Sequence, residues 1–158
     1  DGPHEGEILS TGNIRVKMAN VQSIEVLQDA TLLDTGSPHY VKNVTELAKI
    51  DMKEEGRKIR YNEVFNEKGV NVNFVEKTAE NKIFVRTYER GVEDETYSCG
   101  TGVTACSLVY MLQNHVEKVD VKVLGGNLKV YAEKTENGFK NVWLEGPAKQ
   151  VFKGKINL

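Results

Sequence analysis

The sequence predicts an α+β fold in which a curved, mixed or antiparallel β-sheet, barrel-like in form, wraps one central apolar helix. Three observations lead there. Most of the chain breaks into short alternating segments separated by turn signals, the pattern of strands. One later segment, residues 101–114, is apolar nearly all round, as a helix buried in a core must be. The chain has 158 residues, enough for one domain with its own core, so 1–158 reads as a single domain.

Taken in order, residues 13–18 alternate, with Ile14, Val16 and Met18 on one side. Residues 23–27 and 30–35 are further strand candidates. The turn cluster Gly36-Ser37-Pro38-His39 precedes a strand over 40–44. Residues 45–60 place Leu47, Ile50 and Ile59 among charges, which predicts a surface helix with Thr45 as its N-cap. Residues 70–76 and 82–88 both alternate. After the apolar helix come strands over 119–124, 128–134, 140–145 and 149–153, with Asn137-Gly138 as a hairpin signal between the second and third.

Composition excludes several function classes. The net charge is −2 with both signs interspersed, and no basic block points to nucleic acid. No apolar stretch approaches the length of a membrane span. The polar start Asp1-Gly2-Pro3-His4 does not resemble a signal peptide, and the missing initiator Met fits either a processed chain or a fragment. Cys99 and Cys106, if on one helix, stand roughly 10 Å apart along its axis. That is too far for a disulfide. No Cys or His spacing suggests a metal. Free thiols fit a reducing compartment, so the expected location is the cytoplasm.

The chemistry gathers where the apolar helix begins. Cys99 precedes Gly100-Thr101-Gly102. Glycines there let the backbone come close to a ligand, and first-turn N–H groups without intrahelical partners attract a carboxylate. A cysteine at such a helix start is expected to form thiolate more readily, as a base or nucleophile. Cys106, inside the apolar helix, is expected to be inert. Glu89-Arg90 ends a strand, where an acid and a guanidinium side by side suit the two charged ends of an amino acid. Asn71 and Asn73 share one face of their strand. His39 could orient a ligand or tune a thiolate.

Four ordered runs carry a resemblance. They are Thr35-Gly36-Ser37-Pro38-His39-Tyr40-Val41, then Val70-Asn71-Val72-Asn73-Phe74-Val75, then Glu89-Arg90-Gly91, and finally Cys99-Gly100-Thr101-Gly102 with its helix. Together with Gly146-Pro147-Ala148 and Val151-Phe152 they resemble the second half of the diaminopimelate epimerase family. That resemblance implies two similar lobes, each a sheet round a central helix, with the active site between them. It implies one catalytic cysteine per lobe and no pyridoxal phosphate, metal or nucleotide. One thiolate would remove the α-proton, and the other cysteine, as thiol, would deliver a proton to the opposite face. The first lobe and its cysteine have no counterpart here, and residues 1–4 look like the junction just after it.

Carried over by residue, the resemblance makes Cys99 one of the two bases. Gly100 and Thr101 would offer backbone N–H groups to the α-carboxylate, and Glu89 would hold the α-ammonium. Arg90 and Asn71, with Ser37, would bind the distal carboxylate, and His39 would stand near the reacting centre. Two departures stand out. Ser37 occupies a position where the family often has Asn, and residues 92–96 are longer and more acidic than the compact Gly-rich version.

The function implied is half of an isomerase that interconverts LL- and meso-diaminopimelate in lysine and cell-wall precursor synthesis, inactive without its partner lobe. The exposed cleft face would favour self-association into a homo-oligomer. The alternatives are a related cofactor-independent racemase, such as a proline racemase-like enzyme, and a non-catalytic lobe that binds a carboxylate. A cysteine hydrolase built on Cys99 and His39 would require a hydrogen bond between the two.

Overall fold

The computed structural model describes residues 3–156. Asp1 and Gly2, part of the expected junction, lie outside the described residues. Eleven strands form one mixed sheet, with two α-helices and a short 3₁₀ turn. The strands are β1 (Gly6–Ile8), β2 (Asn13–Lys17), β3 (Ile24–Val26), β4 (Thr31–Asp34), β5 (Pro38–Asn43), β6 (Asn71–Ala79), β7 (Lys82–Glu89), β8 (Asp94–Thr96), β9 (Lys118–Val123), β10 (Gly126–Lys134) and β11 (Phe139–Pro147). The helices are α1 (Met52–Arg60) and α2 (Gly100–Asn114).

The sheet runs β1-β2-β11-β10-β9-β7-β6-β5-β4-β3, with β8 paired to β7 beside this path. It is not closed, which corrects the barrel-like expectation. Its edges, β1 and β3, are strands of three mostly exposed residues. Neither reaches the other to complete a ring of hydrogen bonds. Most pairs are antiparallel, but β5–β6 and β7–β9 are parallel. Each parallel pair needs a crossover. The first crossover carries α1 and the second carries α2.

The period-2 alternation of β6 explains its place. Asn71 to Val75 are all buried, so this strand is covered on both faces. Val72 and Phe74 join Met52, Leu47 and Tyr88 in a cluster under α1. Val75 joins Ile83, Val85 and the helix residues Val103, Leu108 and Met111 in the main core. Helix α2 is buried from Gly102 to Met111 and touches β4, β5, β6, β7, β9, β10 and β11. Each large apolar side chain so buried, such as Leu108, contributes about 1.5–3 kcal/mol.

Several expectations are adjusted. The predicted helix over 45–60 is shorter: Glu46 takes a left-handed backbone conformation, Leu47–Lys49 forms the 3₁₀ turn, and Asp51 caps α1 by accepting from the Glu54 N–H at 3.0 Å. Glu76 on β6 explains the break. Its carboxylate accepts from the Glu46 and Leu47 N–H groups, at 3.0 and 3.1 Å, and holds the segment before α1 against the sheet. The strand expected at 149–153 is absent, and Val151 and Phe152 are exposed. Strands β1 and β8 are additional. The hairpin at Asn137-Gly138 is present, and Gly138 is required for a reason beyond turn shape: a Cβ there would lie 1.9 Å from the Val21 carbonyl oxygen, where residue 21 bridges to Phe139.

Candidate active site

Strand pairing brings the four motifs to one end of α2. In the β5–β6 register His39 lies opposite Asn71, and Val41 opposite Asn73. In the β6–β7 register Asn73 lies opposite Thr87. Asn71 and Asn73 therefore share the face that meets the start of α2, as the alternation predicts. Cys99 occupies the N-cap of α2 in an extended conformation, without capping through its side chain. The Thr35 hydroxyl donates to the Thr101 carbonyl at 2.8 Å and ties the end of β4 to the first turn of α2.

The side chains form one connected polar cluster. Cys99 Sγ lies 3.4 Å from Thr101 Oγ1, and Thr101 Oγ1 lies 3.2 Å from Ser37 Oγ. Ser37 Oγ is 3.0 Å from His39 Nε2 and accepts from Asn71 Nδ2 at 3.2 Å. His39 Nδ1 is 3.1 Å from Asn73 Nδ2, and Asn73 Oδ1 accepts from the Thr87 hydroxyl at 2.9 Å. Asn71 Oδ1 accepts from the Arg90 N–H at 2.9 Å. The cluster also fixes Gly102: a Cβ there would stand 2.5 Å from Asn73 Oδ1 and 3.3 Å from Cys99 Sγ, so the helix approaches this closely only with glycine.

Electrostatics correct one expectation. Burial pushes the Cys99 thiol above its ordinary pKa. The Thr101 hydroxyl and the Gly102 and Thr101 N–H groups pull it back down, while the Glu89 carboxylate pushes it up. The helix start acts in the expected direction, but burial outweighs it. Cys106 is raised well above the usual thiol range by burial, in line with an inert core residue. Burial also pushes His39 down to about 4, and the Arg90 charge adds to it.

This makes His39 a source of acid sensitivity. Its folded pKa is below the unfolded value of about 6.5. As pH falls from about 6.5 to about 4, the unfolded chain takes up the proton first, and stability drops by ~3 kcal/mol in total. Urea unfolding at stepped pH is expected to show this slope in the parent chain and to lose it in His39→Gln. An equal slope in both would reject His39 as its source.

Glu89 is half-exposed at the end of β7, and the exposed Arg90 donates from its guanidinium to the Lys68 carbonyl at 2.9 Å. The structure thus brings Cys99, Thr101, Ser37, His39 and Asn71 into one hydrogen-bonded group, with Gly100 on the same helix start and the Arg90 backbone attached through Asn71. His39 bonds to Ser37 and Asn73, not to the sulfur, which removes the support for a cysteine hydrolase. No individual role was expected of Asn73, Thr35 or Thr87. For Asn73 the signal was present in its alternation with Asn71; the two threonines carry no local signal. A cavity of about 580 Å³ lies elsewhere, between β2, β7, β9, β10 and β11. Among the described residues, no group of three or more His, Cys, Asp or Glu is placed to hold a metal ion, and no helix is long and apolar enough to cross a membrane.

The acidic stretch before Cys99 is anchored. Glu93 accepts from the Gly91 N–H and the Tyr88 hydroxyl, at 3.1 and 3.2 Å. Asp94 pairs with Lys53 on α1 at 3.0 Å. Glu95 receives Arg86 through two parallel bonds of 2.6 and 2.7 Å.

Comparison with known proteins shows the family. A diaminopimelate epimerase from Flavobacterium psychrophilum is 39% identical over 158 residues, covering 99% of this chain and 62% of the relative. One from Aquifex aeolicus is 42% identical over 141 residues, covering 89% of this chain and 50% of the relative. The chain therefore spans between half and two thirds of the length of these relatives. Two solved structures share the fold. One is a phenazine biosynthesis protein of the PhzF family from Bacillus anthracis, with a TM-score of 0.63 at 11% identity, over 92% of this chain and 61% of that one. The other is a hydroxyproline epimerase from Agrobacterium vitis, with a TM-score of 0.61 at 12% identity, over 84% of this chain and 48% of that one. The family model for diaminopimelate epimerase matches residues 31–151, a span that holds every residue of the polar cluster, and the chain belongs to that family.

Proposed function

We propose that this chain is the C-terminal lobe of a two-lobed, cofactor-independent epimerase that inverts an α-carbon of diaminopimelate by proton transfer between two cysteines. The observation that carries this reading is Cys99 at the start of buried α2, joined through Thr101 and Ser37 to His39 and Asn71. Cys99 is one base. The Gly100 and Thr101 N–H groups receive the α-carboxylate and stabilise the charge that builds there as the α-proton leaves. Glu89 holds the α-ammonium, and Arg90 takes the distal carboxylate, its backbone N–H held in place by Asn71 Oδ1. The second cysteine, on the missing N-terminal lobe, faces the opposite side of the α-carbon. As one sulfur takes the α-proton, the other delivers its own, so each turnover exchanges the two protonation states.

The whole chain acts as one domain, its sheet curving round α2 to present the helix start to the cleft. The two free thiols suit the cytoplasm. Alone, the lobe self-associates through its uncovered face. A related racemase acting on proline, or a lobe that only binds a carboxylate, is the alternative.

The test compares this chain with the same chain joined to a partner lobe from a relative. The joined protein is expected to invert diaminopimelate and not proline, and the chain alone to invert neither. Turnover by the chain alone, or a preference for proline in the joined protein, would reject the proposal.

A further inference from the structure

The hydrogen-bond directions in the polar cluster are fixed by its amides. Asn73 Nδ2 lies against two carbonyl oxygens, Tyr40 at 3.0 Å and Asn71 at 3.2 Å, while its Oδ1 receives the Thr87 hydroxyl. The amide cannot be reversed without setting oxygen against oxygen. Nδ2 has no lone pair to offer, so a hydrogen on His39 Nδ1, its third neighbour at 3.1 Å, would find no acceptor there; Nδ1 is bare and shares the two Nδ2 hydrogens with the carbonyls. The remaining ring hydrogen then sits on Nε2 and points at Ser37 Oγ.

Asn71 is fixed in the same way. Its Oδ1 receives the Arg90 N–H, and its Nδ2 donates to the Pro38 carbonyl at 3.1 Å and to Ser37 Oγ. Ser37 Oγ thus accepts twice, from His39 and from Asn71, and both of its lone pairs are used. Its one hydrogen goes to its third neighbour, Thr101 Oγ1. The Thr101 hydroxyl, receiving there, directs its own hydrogen to Cys99 Sγ.

We propose that Asn73, His39, Ser37 and Thr101 form a one-way relay ending in a hydroxyl donor to the Cys99 sulfur, which makes Ser37 a positioning residue for the thiolate and not a ligand for substrate. This differs from the expectation drawn from the resemblance, which put Ser37 on the distal carboxylate. With all three of its hydrogen-bonding positions filled from within the protein, Ser37 meets a substrate group only by giving one of them up. His39 likewise holds Ser37 and takes no proton from the sulfur. The relay bears on catalysis through the reading of Cys99 as a base given above, but its existence is a property of this chain alone.

The titratable groups around the sulfur are Glu89 at the end of β7, Cys106 within α2 and His39 on β5, with Arg90 acting on His39. None of these is altered in the test. The β-carbon NMR shift of Cys99 in the folded chain, followed against pH, reads thiolate formation and separates Cys99 from Cys106. Ser37→Ala is expected to move the Cys99 midpoint upward by about one pH unit, a tenfold loss of thiolate at a given pH. Thr101→Val, which removes the last donor, is expected to move it upward at least as far, and Thr101→Ser to leave it in place. Because the relay passes through Thr101, adding Ser37→Ala to Thr101→Val is expected to produce no further movement.

An unmoved midpoint in Ser37→Ala, or shifts from the two variants that add in full, would overturn the relay. If Ser37→Ala does not fold, the contrast between Thr101→Val and Thr101→Ser decides it. These outcomes concern the thiol and leave the epimerase reading to its own assay. Loss of that reading would in turn leave the titration result standing.

Discussion

Cys99→Ala in the joined two-lobed protein is expected to lower kcat for inversion by about 10³-fold or more, with little change in substrate binding. The size follows from the role proposed for the sulfur. A positioned proton-transfer group contributes about 10²- to 10⁴-fold, and inversion in either direction needs one group on each face. Alanine leaves the Gly100 and Thr101 N–H groups in place, so affinity is retained while the proton has no acceptor or donor on this side. Racemisation rates and a dissociation constant, measured together on both proteins, check the prediction. Residual inversion within about tenfold of the parent would show that another group serves this face.

Arg86→Met is expected to be the most destabilising single change on the α1 side, by about 3–5 kcal/mol. Beyond its two bonds to Glu95, the guanidinium donates to the Leu47 and Ile50 carbonyls, each at 2.9 Å. Both side chains of the pair are largely buried, at 13% and 19% exposure. Removing the arginine leaves a carboxylate and the Ile50 carbonyl without partners where water reaches them poorly, while the Leu47 carbonyl keeps the Ile50 N–H. The double variant Arg86→Met/Glu95→Leu is expected to recover much of the loss, because it removes the stranded charge. Urea unfolding of the three proteins measures both effects, and a single-variant loss below about 1 kcal/mol would class the pair with ordinary surface bridges. The consequence extends to the site, since Glu95 lies on β8 and holds the segment that delivers Cys99 to its helix.

Arg86 also shows where sequence reasoning stops. The strand containing it was legible from period-2 alternation, as were most strands and both asparagines of β6. Nothing local in Lys82-Ile83-Phe84-Val85-Arg86 tells that its arginine crosses to the 3₁₀ turn and to β8. The start of α1 was misplaced for a related reason. Thr45 is as good a cap as Asp51 by composition, but Glu76, about thirty residues onward, holds the segment between them out of the helix. The thiol of Cys99 was placed correctly at a helix start, yet its burial depends on strands distant in sequence packing against that helix, so the direction of its pKa was misjudged. Residues 149–153 hold the apolar pair Val151-Phe152, but a strand also needs a neighbour, and no described residue supplies one.

The pairing of β2 with β11 has a consequence for how the chain is made. Ile14 lies opposite Gly146, and Val16 opposite Leu144. A ribosome releases the first of these long before the last. During that interval Val16, which later packs against the core, and its neighbour Ile14 have no β11 to pair with, and β1 can pair only with β2 itself. Contacts this distant in sequence form late and slowly. An apolar strand held waiting through most of synthesis is a site for premature association. Truncated chains that end before residue 139 are therefore expected to need protection that the complete sheet does not.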